Sequence, residues 1–342
     1  MPIHYISSYM RVAVTGAGGF LGRVLIERLR KEGYEPLALV RREAVAEQYR
    51  QSGVESVVSD LSCPGGCMGV FDNCQAVIHC AALTRDFGKW PDFKRANIDT
   101  THFVMSELAK TRPERIIHIS TTAIYGNERN HYGTDEDADY GQRIVDHYSR
   151  SKIEADKIVH RFIQNESFPA TILRFGNIWG PGDPTVIPFV TGNLKLKRLA
   201  LEGGGDNVLS LTFIDNALEG ILLALKSDAA IGKIFNITDG IKVTSKKFIQ
   251  DIINILGIKY DLKSIPYPIL YSAAYFLERY YMIAGKVNNP SLTRFAARFL
   301  KYHAFFDISQ AMNNLGYRPK IGYKEGLTLS TPYIRSLYYG DK

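Results

Sequence analysis

From Arg11 to Arg174 short apolar runs alternate with longer stretches whose apolar positions recur every three or four residues. That rhythm predicts parallel strands joined by crossover helices. Arg11–Thr15, Pro36–Val40, Ser56–Val58, Ala76–Cys80, Arg115–Ser120 and Ala170–Arg174 read as strands. Leu21–Lys31, about Asp92–Lys110 and Tyr148–Asn165 read as helices, the second stopping before Pro113. Past Arg174 the rhythm breaks. Gly176–Asp183 is a Gly- and Pro-rich loop, followed by strand-like Val208–Phe213 and Lys233–Ile237 around an apolar helix, Ala217–Leu225. The pattern predicts an α/β, Rossmann-like, doubly wound parallel sheet over 10–174, with elements about 207–240 returning to it. A smaller, discontinuous substrate-binding region is expected from 175–206 and 241–342.

One stretch stands apart. Ile269–Ile283 carries Tyr271, Tyr275, Phe276, Tyr280 and Tyr281 at helical spacing, a stripe expected to form core or pocket wall. Glu278 and Arg279 interrupt it, so it falls short of the ~18 apolar residues of a membrane span. Its amphipathic character leaves contact with a membrane surface as the lesser alternative.

Composition narrows the class of partner. The net charge of +7 is spread along the chain, which suits an anionic cofactor or small substrate. With no basic run or nucleic-acid motif, no nucleic-acid partner is expected. Cys63, Cys67, Cys74 and Cys80 fit no paired C-x-x-C spacing, even with His79 beside Cys80, and read as reduced thiols without a metal. Met1–Tyr9 lacks the basic start and apolar stretch of a signal peptide and reads as an overhang before Met10, so a cytoplasmic protein is expected.

Chemistry enters between the first strand and the first helix. In Thr15-Gly16-Ala17-Gly18-Gly19-Phe20-Leu21-Gly22, Gly16 permits a tight turn, Gly19 a close backbone approach to a pyrophosphate, and Gly22 close helix–sheet packing. The helix opening at Phe20 and Leu21 offers free N–H groups and a positive dipole end. The second strand ends Val40-Arg41-Arg42, with no acid before Glu43. Two arginines suit a ribose 2′-phosphate, hence NADP(H), with NAD as the alternative. Further on, Tyr148-Ser149-Arg150-Ser151-Lys152 places a phenol and an ammonium one helical turn apart. A free tyrosine titrates near about 10. A neighbouring cation favours the phenolate that proton transfer needs.

The G-x-x-G-x-x-G loop with Y-x-x-x-K resembles the short-chain dehydrogenase/reductase superfamily. His118-Ile119-Ser120-Thr121-Thr122-Ala123-Ile124-Tyr125-Gly126 resembles the S-[ST]-x-x-[VI]-Y-G signature of its extended branch. Matched back from Gly126, the resemblance implies that Thr121 polarises the substrate oxygen, with Ser120 beside the cofactor. It further implies adenine contact by Asp60 and Leu61, a cofactor wall at Ala81 and Ala82, and a role for Asn97 in an N-x-x-[GD]-T helix. Arg174–Asp183 is similar to R-x-x-N-[VI]-[YW]-G-P-G-D. Within the extended branch, two groups remain. Nucleotide-sugar epimerases and dehydratases place an arginine seven residues before the aspartate that aligns with Asp215, and here that position is Val208. Thr212-Phe213-Ile214-Asp215-Asn216, Phe87-Gly88-Lys89-Trp90 and Pro290–Phe295 resemble 3-beta-hydroxysteroid dehydrogenases instead. That resemblance implies an NAD(P)-dependent oxidoreductase interconverting a secondary alcohol and a ketone on an apolar, sterol-like or 3-keto acid-like substrate. Tyr148 would be the acid/base and Lys152 would lower its pKa and hold the ribose. The alternative is a nucleotide-sugar epimerase, dehydratase or 4-keto reductase. A homodimer through the helices carrying Asn97 and Tyr148 is implied by the same resemblance. His147 stands where many relatives have proline, either tuning the phenol or simply entering the helix.

Overall fold

The computed structural model describes residues 10–166, 168–286 and 290–340. The Met1–Tyr9 overhang lies outside them. The chain runs β1 (Arg11–Thr15), α1 (Phe20–Lys31), β2 (Glu35–Val40), α2 (Glu43–Gln51), β3 (Glu55–Val58) and β4 (Ala76–His79). It continues through α3 (Trp90–Phe93), a π-type turn over Lys94–Asp99, α4 (Thr100–Thr111), β5 (Arg115–Thr121), β6 (His131–Thr134), α5 (His147–Glu166) and β7 (Ala170–Phe175). Next come β8 (Asn177–Trp179), α6 (Val186–Lys195), β9 (Ala200–Glu202), β10 (Val208–Leu209), β11 (Leu211–Phe213), α7 (Ile214–Lys226) and β12 (Ile234–Ile237). The remainder is β13 (Val243–Thr244), α8 (Ser245–Leu256), β14 (Lys263–Ile265), α9 (Tyr267–Ile283), α10 (Arg294–Phe299), β15 (Ala304–Phe306), α11 (Ser309–Leu315) and α12 (Tyr323–Tyr339).

Seven parallel strands form one sheet in the order β12-β7-β5-β4-β1-β2-β3. This is the doubly wound order expected from the alternating pattern, and it reverses between β1 and β4. The strands read as unbroken apolar runs because helices cover both faces: β7 and β4 are buried throughout. Helix α1 buries Gly22, Leu25, Ile26 and Leu29, one stripe of a 3.6-residue period, and ends on Arg28, Arg30 and Lys31 where cations suit the dipole. A second core gathers around Trp179, Phe213, Phe248 and Ile252, roofed by α6, α8 and α12. Helix α8 that closes it starts at Thr244, whose hydroxyl accepts from Lys247 N–H, and stops at left-handed Gly257.

Three expectations are corrected. The run Val208–Phe213 is two short strands, split at Ser210, that pair with different partners, β13 and β8. The helix expected over 92–110 starts earlier, at Trp90, and widens into a π-type turn before α4. The aromatic stripe of α9 is not core: only Leu270, Ala274 and Glu278 are buried, while Ile269, Phe276, Tyr280, Met282 and Ile283 face outward. Burying one narrow stripe against α10 satisfies the fold and leaves the opposite apolar side exposed. Among the described residues no helix is long and apolar enough to cross a membrane.

Candidate active site

The carboxyl ends of β1 and β4 diverge where the strand order reverses, and doubly wound sheets take ligands in that crevice. Gly16 turns the chain there at φ +69°. A Cβ on it would lie 2.8 Å from the backbone N and Cα of Ala81, so the loop and the residues after β4 touch only because Gly16 has none. A Cβ on Gly22 would meet Ala17 Cα at 2.8 Å, which sets α1 flush against the loop. Gly19 meets only Gly16 O at 3.3 Å and is otherwise open. Helix α1 starts with no side-chain cap and no acid in its first turn. The N–H groups of Phe20, Leu21 and Gly22 thus lack intrahelical acceptors, and nothing on the chain neutralises the dipole end. An open cradle with unspent donors fits a diphosphate.

Around the cradle, Ala81 N–H donates to Thr15 Oγ1 at 3.1 Å, and that hydroxyl also bonds His79 Nδ1 at 2.8 Å. His79 is fully buried and held neutral, its pKa pushed down to about 3 by burial. Ala82 follows at the surface. Arg41 and Arg42 are exposed at the end of β2, whereas Glu43 is ion-paired to Arg50 within α2 and so is occupied. Asp60 pairs with Arg95 at 2.7 Å and bonds Ser62, which holds its carboxyl down at about 2; buried Leu61 follows it. Asn97 lies on the π-type turn, 1 % exposed. Its amide takes Leu83 N–H at 2.6 Å, gives to Leu83 O at 3.1 Å and to Ser151 Oγ at 2.8 Å. It therefore clamps the strand-end loop to α5, and its polar atoms face protein.

Thr121 ends β5, and Tyr148 and Lys152 stand on successive turns of α5. The Thr121 hydroxyl accepts from Ala123 N–H at 3.2 Å and lies close enough to the Tyr148 phenol to lower its pKa. Burial pushes that phenol up to about 12, against the lowering effect of Thr121. Lys152, 4 % exposed, gives its ammonium to Ile119 O at 2.7 Å; burial brings it down to about 8. Ser120, expected beside the cofactor, has its hydroxyl engaged within the protein. Its Oγ donates to Asp156, which is fully buried and paired with Arg174 at 2.8 Å. Tyr140 and Tyr125 complete that network, Tyr140 donating to Asp156 and Tyr125 accepting from Arg174. The reason is geometric: alternate residues of a strand face opposite sides, so Ser120 and Thr121 cannot both reach the crevice. His147 is half-buried against Trp90 and Phe93, with burial lowering its pKa, a neutral helix-entry residue.

Sequence reasoning assigned no site role to several residues here. Asp156 was hidden because a buried acid in a helix has no pattern. Asp146 opens α5 by accepting from Ser149 N–H at 2.6 Å. Thr293 donates to Asp86 at 2.6 Å, and Phe295 meets the Tyr148 ring edge-on at 6.5 Å, so α10 roofs the phenol. A cleft beside Thr121 runs under this roof, reaching Asn127, Asn177, Ser210 and Arg298.

The profile of the NAD dependent epimerase/dehydratase family matches residues 12–238. A 2-alkyl-3-oxoalkanoate reductase of Shewanella oneidensis is 28 % identical, over 92 % of this chain and 84 % of its own. A decarboxylating sterol-4-alpha-carboxylate 3-dehydrogenase of Dictyostelium discoideum is also 28 % identical, over 92 % of this chain and 98 % of its own. Among solved structures, a UDP-glucuronic acid 4-epimerase of Bacillus cereus in complex with NAD superposes with a TM-score of 0.76 at 21 % identity, covering 96 % of this chain and 100 % of that one. At that identity the likeness is one of fold.

Proposed function

The chain belongs to the NAD dependent epimerase/dehydratase family, an enzyme family of the extended short-chain dehydrogenase type, and on that premise we propose an NADP(H)-preferring oxidoreductase that interconverts a secondary alcohol and a ketone on an apolar substrate. The observation that carries it is the placement of Thr121 at the end of β5 and the open glycine loop after β1 at the same end of the parallel sheet, with Tyr148 and Lys152 on successive turns of α5 and the Lys152 ammonium on Ile119 O of β5. In this reading Gly16, Gly19, Phe20, Leu21 and Gly22 hold the diphosphate, Asp60 and Leu61 border the adenine, and Ala81 and Ala82 line the nicotinamide side. Lys152 holds the ribose. When bound, a nicotinamide cofactor would supply or accept the hydride, and in its oxidised form it would bring a positive charge to the site. Tyr148 takes or returns the hydroxyl proton, while Thr121 donates to the reacting oxygen as charge builds on it.

Arg41 and Arg42 support NADP(H), because both guanidiniums are exposed at the strand end while the first acid is paired elsewhere. The sterol-like or 3-keto acid-like class is supported by the aromatic lining of the cleft, with Phe295, Phe299 and Phe306, and by Val208 in place of a diphosphate-gripping arginine. Both relatives named above carry out oxidoreduction beside a carboxyl group, by their names. A homodimer through the helices bearing Asn97 and Tyr148, in the cytoplasm, belongs to the same reading. The test is turnover of apolar ketones with each reduced cofactor. We expect kcat/KM with NADPH to exceed that with NADH by about tenfold or more, as loss of one charge-assisted contact implies. A preference for NADH refutes the role given to Arg41 and Arg42.

A further inference from the structure

The cleft beside Thr121 mixes two kinds of lining. Phe295, Phe299, Tyr302 and Phe306 contribute aromatic rings. Between them the lining carries polar groups that the fold leaves unspent. Both amide atoms of Asn127 are buried without a hydrogen-bond partner, and so are Ser210 Oγ and Arg298 Nε. Such groups are costly unless something in the working enzyme satisfies them. Arg298 is aimed by its Nη1, which donates to Arg143 O at 2.7 Å, and among the described residues it has no carboxylate partner. Arg129 stands exposed at the rim. No Asp or Glu lines the cleft; neighbouring Glu128 accepts at Oε1 from the N–H groups of Gln142 and Arg143, while its Oε2 is buried without a partner behind Gly126. Unspent donors and guanidiniums without a carboxylate partner, set among aromatic rings in one cleft, describe a receptor for an acid with an apolar body.

We infer that Asn127, Ser210 and Arg298 form a carboxylate-binding subsite, so that the substrate is an acid bearing its carboxylate close to the reacting carbinol, as in an alkyl 3-hydroxy acid and its 3-oxo partner. The inference rests on the oxidoreductase reading above and deepens it. Arg129 draws the anion to the mouth, Arg298 and the Asn127 amide donate to its oxygens, and Ser210 Oγ closes the set. The aromatic rings take the alkyl chain. In the oxidation direction the carbinol O–H proton passes to Tyr148 and the hydride leaves C3 for oxidised NADP, giving the 3-oxo acid and NADPH. The carboxylate stays unchanged throughout and serves to orient C3 beside Thr121.

The experiment compares a 2-alkyl-3-hydroxy acid with its methyl ester, oxidised by the full-length protein with NADP and followed by NADPH formation. Two charge-assisted bonds lost with the ester imply a kcat/KM for the acid about 10²-fold higher. Arg298→Met and Asn127→Leu, checked for fold by their melting temperatures, should each narrow that ratio by about tenfold or more, mainly through KM. Equal kcat/KM for acid and ester in the wild-type protein overturns the subsite while the oxidoreductase reading stands. No oxidation of either compound overturns both. Tight binding of UDP-glucose that Arg298→Met abolishes also overturns it, because the cluster would then serve a diphosphate.

Discussion

Burial lifts the Tyr148 phenol to about 12, so less of it is ionised near neutrality than of a free tyrosine. A neighbouring cation favours the phenolate that proton transfer needs, and Lys152 stands one helical turn away on α5. Asp146, two residues before Tyr148, makes a separate prediction. Burial raises its carboxyl from 3.8 to about 6. The native state thus holds this proton more tightly than the unfolded chain. The stability it contributes is complete below about pH 4 and lost as pH rises through about 6. Asp146→Asn keeps an acceptor for Ser149 N–H but cannot ionise, so it should gain on the order of 3 kcal/mol relative to wild type at pH 7 and show a flatter urea midpoint between about pH 4 and 7. An unchanged slope would assign the titration to another group. Legibility at this scale followed chemistry. Tyr148, Lys152 and the glycines stood out through their spacing taken together, and Thr121 only through the family resemblance, whereas Asp146, Asn127 and Ser210 matter through burial that only the fold creates.

Secondary elements meet at the buried pair Asp156–Arg174, which joins α5 to β7, while Ser120 brings in β5 and Tyr125 the turn after it. Removing the carboxylate leaves a buried guanidinium uncompensated. Asp156→Ala should therefore cost about 3–5 kcal/mol in denaturant unfolding, and a loss below 1 kcal/mol would show that the guanidinium finds water. The π-type turn at Lys94–Asp99 has a comparable role, since it delivers the Asn97 amide to Leu83 and Ser151 and so fixes the strand-end loop against the catalytic helix. The strands of the main sheet and helices α1 and α5 were readable within a residue or two because their periods are strong, whereas α8 and α12 were not read. Helix α2 buries only Val45 and Ala46, too few to announce a stripe. Helix α9 misled because its apolar residues surround the helix while α10 covers just one side; Glu278 is buried there because it binds both the backbone N–H and the guanidinium of Arg294.

Across the whole molecule the sheet supplies the cradle, and the segment after β5 together with α10 and β15 lines the cleft, with Thr121 at their border. The doubly wound order was legible because parallel strands demand crossover helices. The second region was not, since β8 to β11 are two- and three-residue strands set by pairing rather than by pattern. Its irregularity is what lets one family fold take different substrates. The central claim is that this border transfers a hydride to carbon while Tyr148 moves the proton. The most direct measurement uses NADPH deuterated at its transferable position with an alkyl 3-oxo acid, and mass spectrometry of the product. The wild-type enzyme should place one deuterium on the new carbinol carbon, and Tyr148→Phe should slow that transfer by on the order of 10²-fold or more while still binding NADPH. Unlabelled product, or full-rate transfer by Tyr148→Phe, would contradict it.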